Sequence, residues 1–122
     1  MTDKRAIAII DDDALVRSSL VSLVRSFGLD ATAFDCAVSF LDAGPEHWSG
    51  LISDVHMPRM TGLELAGRLQ VSHPLLPVIL ITAFPDGAMF EQGRMGVAAR
   101  LLEKPCASEA IQAALEDILG PI

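Results

Sequence analysis

Cysteine is scarce in this chain. Cys36 and Cys106 are its two copies, they lie far apart, and neither belongs to a CxxC pattern. A disulfide framework is therefore not expected, and a reducing compartment suits the sequence. Long apolar runs are missing too. The first run, Ala6-Ile7-Ala8-Ile9-Ile10, is five residues long and acids follow at once. That is too short for the apolar stretch of a signal peptide and far short of the ~20 residues that cross a bilayer. A cytoplasmic location and no membrane partner are expected. Positive charge is also in deficit. Nine Lys and Arg against 16 Asp and Glu leave a formal charge of -7 and a pI near 4.7. Such a surface repels bare DNA and anionic lipid, so direct nucleic-acid binding is not expected and a cation or basic protein patch is the natural partner. No linker, repeat or low-complexity tract interrupts the 122 residues. With 51% apolar and 20% charged residues, the sequence is expected to form one soluble globular domain over 1–122.

What the chain does contain is an alternation of short apolar runs and helical spacing. Asp11 and Asp12 close the run 6–10, and Asp54 closes Gly50-Leu51-Ile52-Ser53. Thr82 closes Val78-Ile79-Leu80-Ile81; Lys104 closes Arg100-Leu101-Leu102-Glu103 and precedes Pro105. Runs this short and apolar are typical of strands buried in a parallel sheet. A shorter strand is expected over 31–34, and the fifth strand over 99–102. Apolar residues at Val16, Leu20, Leu23, Val24 and Phe27 predict a helix over 14–27, opened by Asp13 and stopped by Gly28. Further helices are expected over 38–43, before the Gly44-Pro45 break, and near 63–72. One over 86–95 is weakened by Gly87 and Gly93, and a last one over 108–119 has Ser108 as N-cap. Five such β–α units predict an α/β, flavodoxin-like doubly wound five-stranded parallel sheet with strand order 2-1-3-4-5 and helices on both faces. Ligands favour the crevice at its switch point, between strands one and three.

Parallel strands bring their C-terminal ends to one edge, so Asp11, Asp12, Asp54, Thr82 and Lys104 are expected to share a pocket. Three close carboxylates repel one another unless a cation neutralises them. Mg2+ takes oxygen ligands and keeps several waters. Three acids are too few for a closed cage but suit an open site completed by water and a substrate phosphate. A carboxylate can attack phosphorus and become an aspartyl phosphate. The transition state spreads negative charge over equatorial oxygens. The ion would meet one oxygen, the Lys104 ammonium a second and the Thr82 hydroxyl a third, with Ala83 leaving room for the phosphoryl group.

The pieces Ile10-Asp11-Asp12, Ser53-Asp54-Val55-His56-Met57-Pro58, Thr61-Gly62, Ile81-Thr82-Ala83 and Glu103-Lys104-Pro105 span nearly the whole chain. In this order and spacing the chain resembles the receiver domain of two-component response regulators. The resemblance implies that Asp54 is the phosphoacceptor. It implies that Asp11, Asp12, Asp54 and the backbone carbonyl of His56 bind Mg2+, with Mn2+ as a substitute. Thr82 is then the switch hydroxyl and Lys104 the phosphate-binding lysine. The donor would be a sensor histidine kinase or a histidine phosphotransfer protein. The chain would be a signalling phosphoacceptor that catalyses its own phosphorylation and dephosphorylation, rather than an enzyme acting on other substrates. Two positions depart from the family pattern: Leu101 replaces the Tyr or Phe that many receivers carry as a switch residue, and Cys106 replaces a frequent aromatic. His56 and Phe84, two positions after Asp54 and Thr82, are expected to tune the lifetime of the acyl phosphate. A downstream protein is expected on the face formed by the 86–95 helix, the fifth strand and the last helix, with a phosphorylation-dependent dimer as a further option there.

Two other functions compete. A haloacid dehalogenase-like phosphohydrolase would use Asp11 as nucleophile in the DxD of Asp11-Asp12-Asp13, but it would need a second acidic pair after Lys104 and would leave Asp54 idle. A flavin-binding flavodoxin-like protein would need a hydroxyl-rich phosphate loop where this chain has acids. Whether the receiver stands alone or was cut from a longer regulator is open. Among the remaining residues, Trp48 is expected as a partly buried anchor over the second helix, His47 and His73 as exposed loop residues, and both cysteines as unreactive thiols. Met57, Met60, Met89 and Met95 suit core or loop packing more than a contact face.

Overall fold

Isoleucine, valine, leucine and alanine fill most positions of three central strands, which are covered on both faces. The computed structural model describes residues 5–83 and 100–122. Its elements are β1 (Ala6–Ile10), α1 (Ala14–Ser26), β2 (Asp30–Phe34), α2 (Ala37–Ala43), a 3-10 turn (Pro45–His47), β3 (Gly50–Asp54), α3 (Gly62–Ser72), β4 (Val78–Thr82), β5 (Arg100–Glu103) and α4 (Ser108–Leu119). The expected helix over 86–95, with Gly87, Gly93, Met89 and Met95, lies outside the described residues, as do Phe84 and Ala99. The sheet is wholly parallel in order β2-β1-β3-β4-β5. β3 and β4 are buried along their whole length, whereas the edge strands β2 and β5 are largely open.

Side chains alternate between the two faces, as a pleated strand requires. Ala8, Ile10, Leu51, Val78 and Leu80 pack under α2 and α3 with Phe40, Leu65 and Leu69. Ile7, Ile9, Ile52, Ile79 and Ile81 pack under α1 and α4 with Leu20, Val24, Ile111 and Leu115. Each fully buried side chain of this size contributes about 1.5–3 kcal/mol of transfer free energy, so both layers anchor helices whose N-termini follow the polar strand ends. Trp48 packs edge-on against Phe34, with centroids 5.7 Å apart, and lies near Phe40 of α2. Its indole N–H donates to the Gly44 carbonyl at 3.0 Å. Met57 is buried in the α2–α3 layer and Met60 packs against it.

The helix starts follow local hydrogen bonding. Asp13 caps α1, its Oδ1 accepting from the amides of Leu15 and Val16 at 2.9 and 3.2 Å. Thr61 and Glu64 form a reciprocal capping box at α3. The last helix differs from expectation. Ser108 is its first helical residue, and the cap position is Ala107, in extended conformation with no side-chain cap. The Ala107 carbonyl already accepts from the amides of Ala110 and Ile111, so the helical phase that seats Ile111, Ala114 and Leu115 in the core begins one residue ahead of the hydroxyl's capping register. His73 is half-buried rather than exposed, because where α3 ends it meets the 3-10 turn: its Nε2 lies 3.7 Å from a Glu46 carboxylate oxygen, in a cleft shared with Pro45 and Trp48. No helix among the described residues is long and apolar enough to cross a membrane.

Candidate functional site

Strand register brings the polar residues together. Ile10 lies opposite Ser53, Asp54 opposite Ile81 and Thr82 opposite Glu103, so Asp11, Asp54, Thr82 and Lys104 leave the sheet at one edge. The amide of Lys104 donates to the Thr82 carbonyl at 2.7 Å, tying the ends of β4 and β5.

Asp11 is 1% exposed and held at every polar group. Its amide donates to the Phe34 carbonyl at 3.3 Å, and its Oδ1 accepts from the Asp13 amide at 2.9 Å. Its carbonyl accepts from the Arg17 guanidinium at 2.8 Å, and its Oδ2 lies 3.1 Å from Lys104 Nζ. Asp12, next in sequence, is exposed. Asp54 is 7% exposed; its Oδ1 accepts from the His56 amide at 3.3 Å, and its Oδ2 lies 3.4 Å from Lys104 Nζ. The Ser53 hydroxyl donates to the Asp54 carbonyl at 3.0 Å. That carbonyl also explains Gly62, where a Cβ would come within 2.3 Å of it. The loop returns onto the strand end and is pinned there by the Gly62 amide on the Val55 carbonyl. Within that loop Arg59 adopts a left-handed backbone, φ 71°, an uncommon conformation for a residue with a Cβ.

These placements set the electrostatics. Burial pushes the Asp54 carboxyl above its ordinary value, and the Asp11 charge pushes the same way; Lys104 and the His56 amide pull against both. Burial draws the Lys104 ammonium downward, but its hydrogen bond to Asp11 and the charges of Asp54 and Asp11 outweigh that, leaving it raised. One ammonium thus bridges two buried acids.

Asp11, Asp12 and Asp54 each present a carboxylate oxygen within 4.8 Å of the others. An all-oxygen donor set with no thiolate or imidazole fits a hard divalent ion such as Mg2+ or Mn2+. Asp13, the second acid of the DxD that a phosphohydrolase would use, has its Oδ1 engaged as the cap of α1, and the acids that cluster are Asp11, Asp12 and Asp54 instead. Beside Lys104, a cleft of about 570 Å³ opens between α1 and the end of β5, lined in part by Leu15, Val16, Ile81, Ala83 and Pro105.

The expected site residues Asp11, Asp12, Asp54 and Lys104 are therefore brought together, with Thr82 fully buried at the adjoining strand end. His56 is exposed and reaches Asp54 through its backbone. Leu101 is half-buried against the α2–α3 layer, and Phe84 is outside the described residues. Cys106 is half-buried, its thiol donating to the Glu103 carbonyl at 3.2 Å; burial pushes it up, with Lys104 opposing. Arg17 was not expected at the site. Its one sequence signal is a cation about one turn into the helix that follows the acids.

Comparison with known proteins agrees with this architecture. The transcriptional regulatory protein FixJ of Bradyrhizobium diazoefficiens is 37% identical over 120 residues, covering 98% of this chain and 58% of that protein. The response regulator StyR superposes with a TM-score of 0.86 at 35% identity, over 96% of this chain and 60% of that one. The chemotaxis protein CheY4 of Vibrio cholerae shares the fold with a TM-score of 0.87 at 21% identity, over 96% of this chain and 100% of that one. The chain spans little more than half the length of curated relatives such as FixJ. Residues 7–116 match the family described as response regulator receiver domain, and with the acids, alcohol and amine gathered at one sheet edge, the chain belongs to that family.

Proposed function

We propose that residues 1–122 act as a single receiver domain that takes a phosphoryl group onto Asp54 from a phosphohistidine. The observation that carries this proposal is Lys104 Nζ, 3.4 Å from Asp54 and 3.1 Å from Asp11 within the group of three acids. An Asp54 oxygen attacks phosphorus as the phosphorus–nitrogen bond breaks, and that bond's electron pair returns to the donor's imidazole. Lys104 shifts from its shared position between the acids onto a phosphoryl oxygen. The Thr82 hydroxyl donates to a second oxygen, and Ala83 leaves space for the group. Asp11, Asp12, Asp54 and the His56 carbonyl would hold Mg2+, or Mn2+ in its place; the bound ion supplies positive charge where the transferring oxygens gather it.

Water later attacks the phosphorus; the acyl phosphorus–oxygen bond breaks, its electron pair returns to the Asp54 carboxylate and inorganic phosphate leaves, with His56 and Phe84, two positions after Asp54 and Thr82 in the sequence, setting the lifetime. The product carries up to about two more negative charges at neutral pH. Thr82 and Lys104 follow them, and the ends of β4 and β5 move with these residues. Leu101, half-buried beside Leu80 in the sheet register, gives β5 a switch position without a rotating ring. The donor is a sensor histidine kinase or a histidine phosphotransfer protein in the cytoplasm. The receiving surface for a downstream protein, or for a second phosphorylated copy, comprises residues 86–95, β5 and α4.

Intact mass after incubation with acetyl phosphate and Mg2+ tests the assignment. The wild-type chain should gain one hydroxylamine-labile phosphoryl group, Asp54→Asn should gain none, and Asp11→Asn should gain it slowly. Rapid acetyl phosphate turnover that persists in Asp54→Asn and requires Asp11 would establish the phosphohydrolase instead.

A further inference from the structure

We infer that Arg17 is a positioning residue for the metal-binding acids: granting the phosphoacceptor function proposed above, its guanidinium sets the peptide plane that joins Asp11 to Asp12. A peptide unit is rigid, so the Asp11 carbonyl and the Asp12 amide turn together. Arg17 donates to that carbonyl at 2.8 Å. The bond restricts both the last backbone torsion of Asp11 and the first of Asp12, and so the directions in which the two carboxylates leave the chain.

The arrangement closes a ring. Asp11 Oδ1 accepts from the Asp13 amide, and the Asp13 carboxylate caps α1. Leu20 and Val24 seat α1 in the core. From the helix's second turn, half-buried Arg17 reaches back to the carbonyl of Asp11. Of the four hydrogen-bonding groups on Asp11, the amide and one carboxylate oxygen are held by backbone, and the other carboxylate oxygen is held by Lys104. The carbonyl is left to Arg17. Lys104 must leave Asp11, at least in part, when a phosphoryl group arrives. Arg17 meets no phosphoryl group and keeps its hold throughout. Its positive charge also lies one hydrogen bond from the backbone of the acidic pair, on the main-chain side that Lys104 does not reach. An ordinary structural role would lower stability and leave ion affinity alone; a positioning role changes the affinity itself, as groups that orient metal ligands do.

Calorimetric titration of the metal-free chain with Mg2+ separates these. Arg17→Met, which removes donor and charge at similar length, should weaken Mg2+ binding about tenfold. Arg17→Lys should show a smaller loss, because an ammonium keeps the charge but not the planar fork. The Mg2+ concentration that half-saturates acetyl phosphate labelling should rise by the same factor, and the rate at saturating Mg2+ should return to near wild type. Leu20→Ala, which loosens α1 without touching Asp11, should keep the wild-type constant. An unchanged constant in Arg17→Met, or an equal weakening in Leu20→Ala, overturns the assignment. If Arg17→Met does not fold, Arg17→Lys decides alone, and a wild-type constant there overturns it. Labelling of the wild-type chain is followed in parallel: its absence removes the phosphoacceptor function, whereas unchanged Mg2+ affinity removes only the role of Arg17.

Discussion

A carboxylate buried beside a second carboxylate destabilises the fold that holds it, and Asp54 is in that position whenever no ion is bound. Its pKa is raised above the unfolded value of 3.8, by burial first and by Asp11 second. The native state therefore holds a proton more tightly than the unfolded chain does. Stability falls as pH rises through the window above 3.8, and the full penalty is present once Asp54 is ionised. Denaturant unfolding of the metal-free protein should show Asp54→Asn more stable than wild type at pH 7, by on the order of 1 kcal/mol. That gap should narrow as the pH falls toward 3.8. Saturating Mg2+ should stabilise wild type more than the variant; a constant gap at all pH values would contradict this account. Lys104 has the opposite sign. Although burial opposes it, the two acids leave its pKa above the ordinary 10.5, so its contribution is complete at neutral pH and is lost as pH climbs through that raised value. Lys104→Met should cost about 2 kcal/mol at pH 7, because it strips the cation from two buried acids. Thermal melts with and without Mg2+ measure this, and added Mg2+ should restore part of the loss.

Elements carry their own signals, and these differ in how plainly the residues display them. β1, β3 and β4 have the bounds their residues suggest, because a short, largely apolar run ending in a polar side chain marks both the strand and the edge where it stops. That one feature made Asp11, Asp12, Asp54, Thr82 and Lys104 legible as a group. The start of α4 was less legible: a serine looks the same at the cap as one residue inside, and the difference is a single backbone torsion. Arg17 was hidden for another reason. It meets a backbone carbonyl, which no residue type advertises, and an arginine on an open helix face would read identically. His73 is half-buried by a tertiary neighbour, Glu46 of the 3-10 turn, which its own stretch of sequence does not announce. The caps give a direct comparison. Thr61→Ala removes half of a capping box and should lower stability by about 1 kcal/mol. Ser108→Ala should stay within about 0.5 kcal/mol, since that hydroxyl caps nothing. Equal losses in paired denaturant melts would put Ser108 back at the cap. Gly62→Ala belongs with them: its Cβ would stand 2.3 Å from the Asp54 carbonyl, so the strand end must yield. A loss of about 2 kcal/mol and slower labelling of Asp54 by acetyl phosphate are expected together.

At the scale of the whole molecule, the sheet separates a closed side from a responsive one. β2 and α2 meet through Phe34, Phe40 and Trp48, whose ring centroids lie 5.7–6.4 Å apart. β1, β3 and β4 stand between that cluster and β5. On the far side, β5 is an edge strand paired along its length with β4 alone; beyond that ladder, the described residues add the Lys104 amide on the Thr82 carbonyl, the Arg100–Asp117 pair reaching α4, and Leu101 and Leu102 on opposite faces. A phosphoryl group on Asp54 would draw Lys104 away from Asp11. Because the Lys104 backbone is bonded to Thr82, the ends of β4 and β5 would move as a pair. Among the described residues, the aromatic side is linked to the site by the Phe34 carbonyl, which accepts from the Asp11 amide at 3.3 Å. Amide hydrogen exchange with Mg2+ alone and with Mg2+ plus beryllofluoride should therefore diverge at residues 54–62 and 82–106, with little change at residues 36–48. Local opening sets exchange rates in regions with few buried contacts, so protection should increase most along β5, the least covered strand beside the site. Uniform protection across both sides would mean that the domain stiffens as one body. An absence of change over 84–106 would separate the site from the surface proposed to read it.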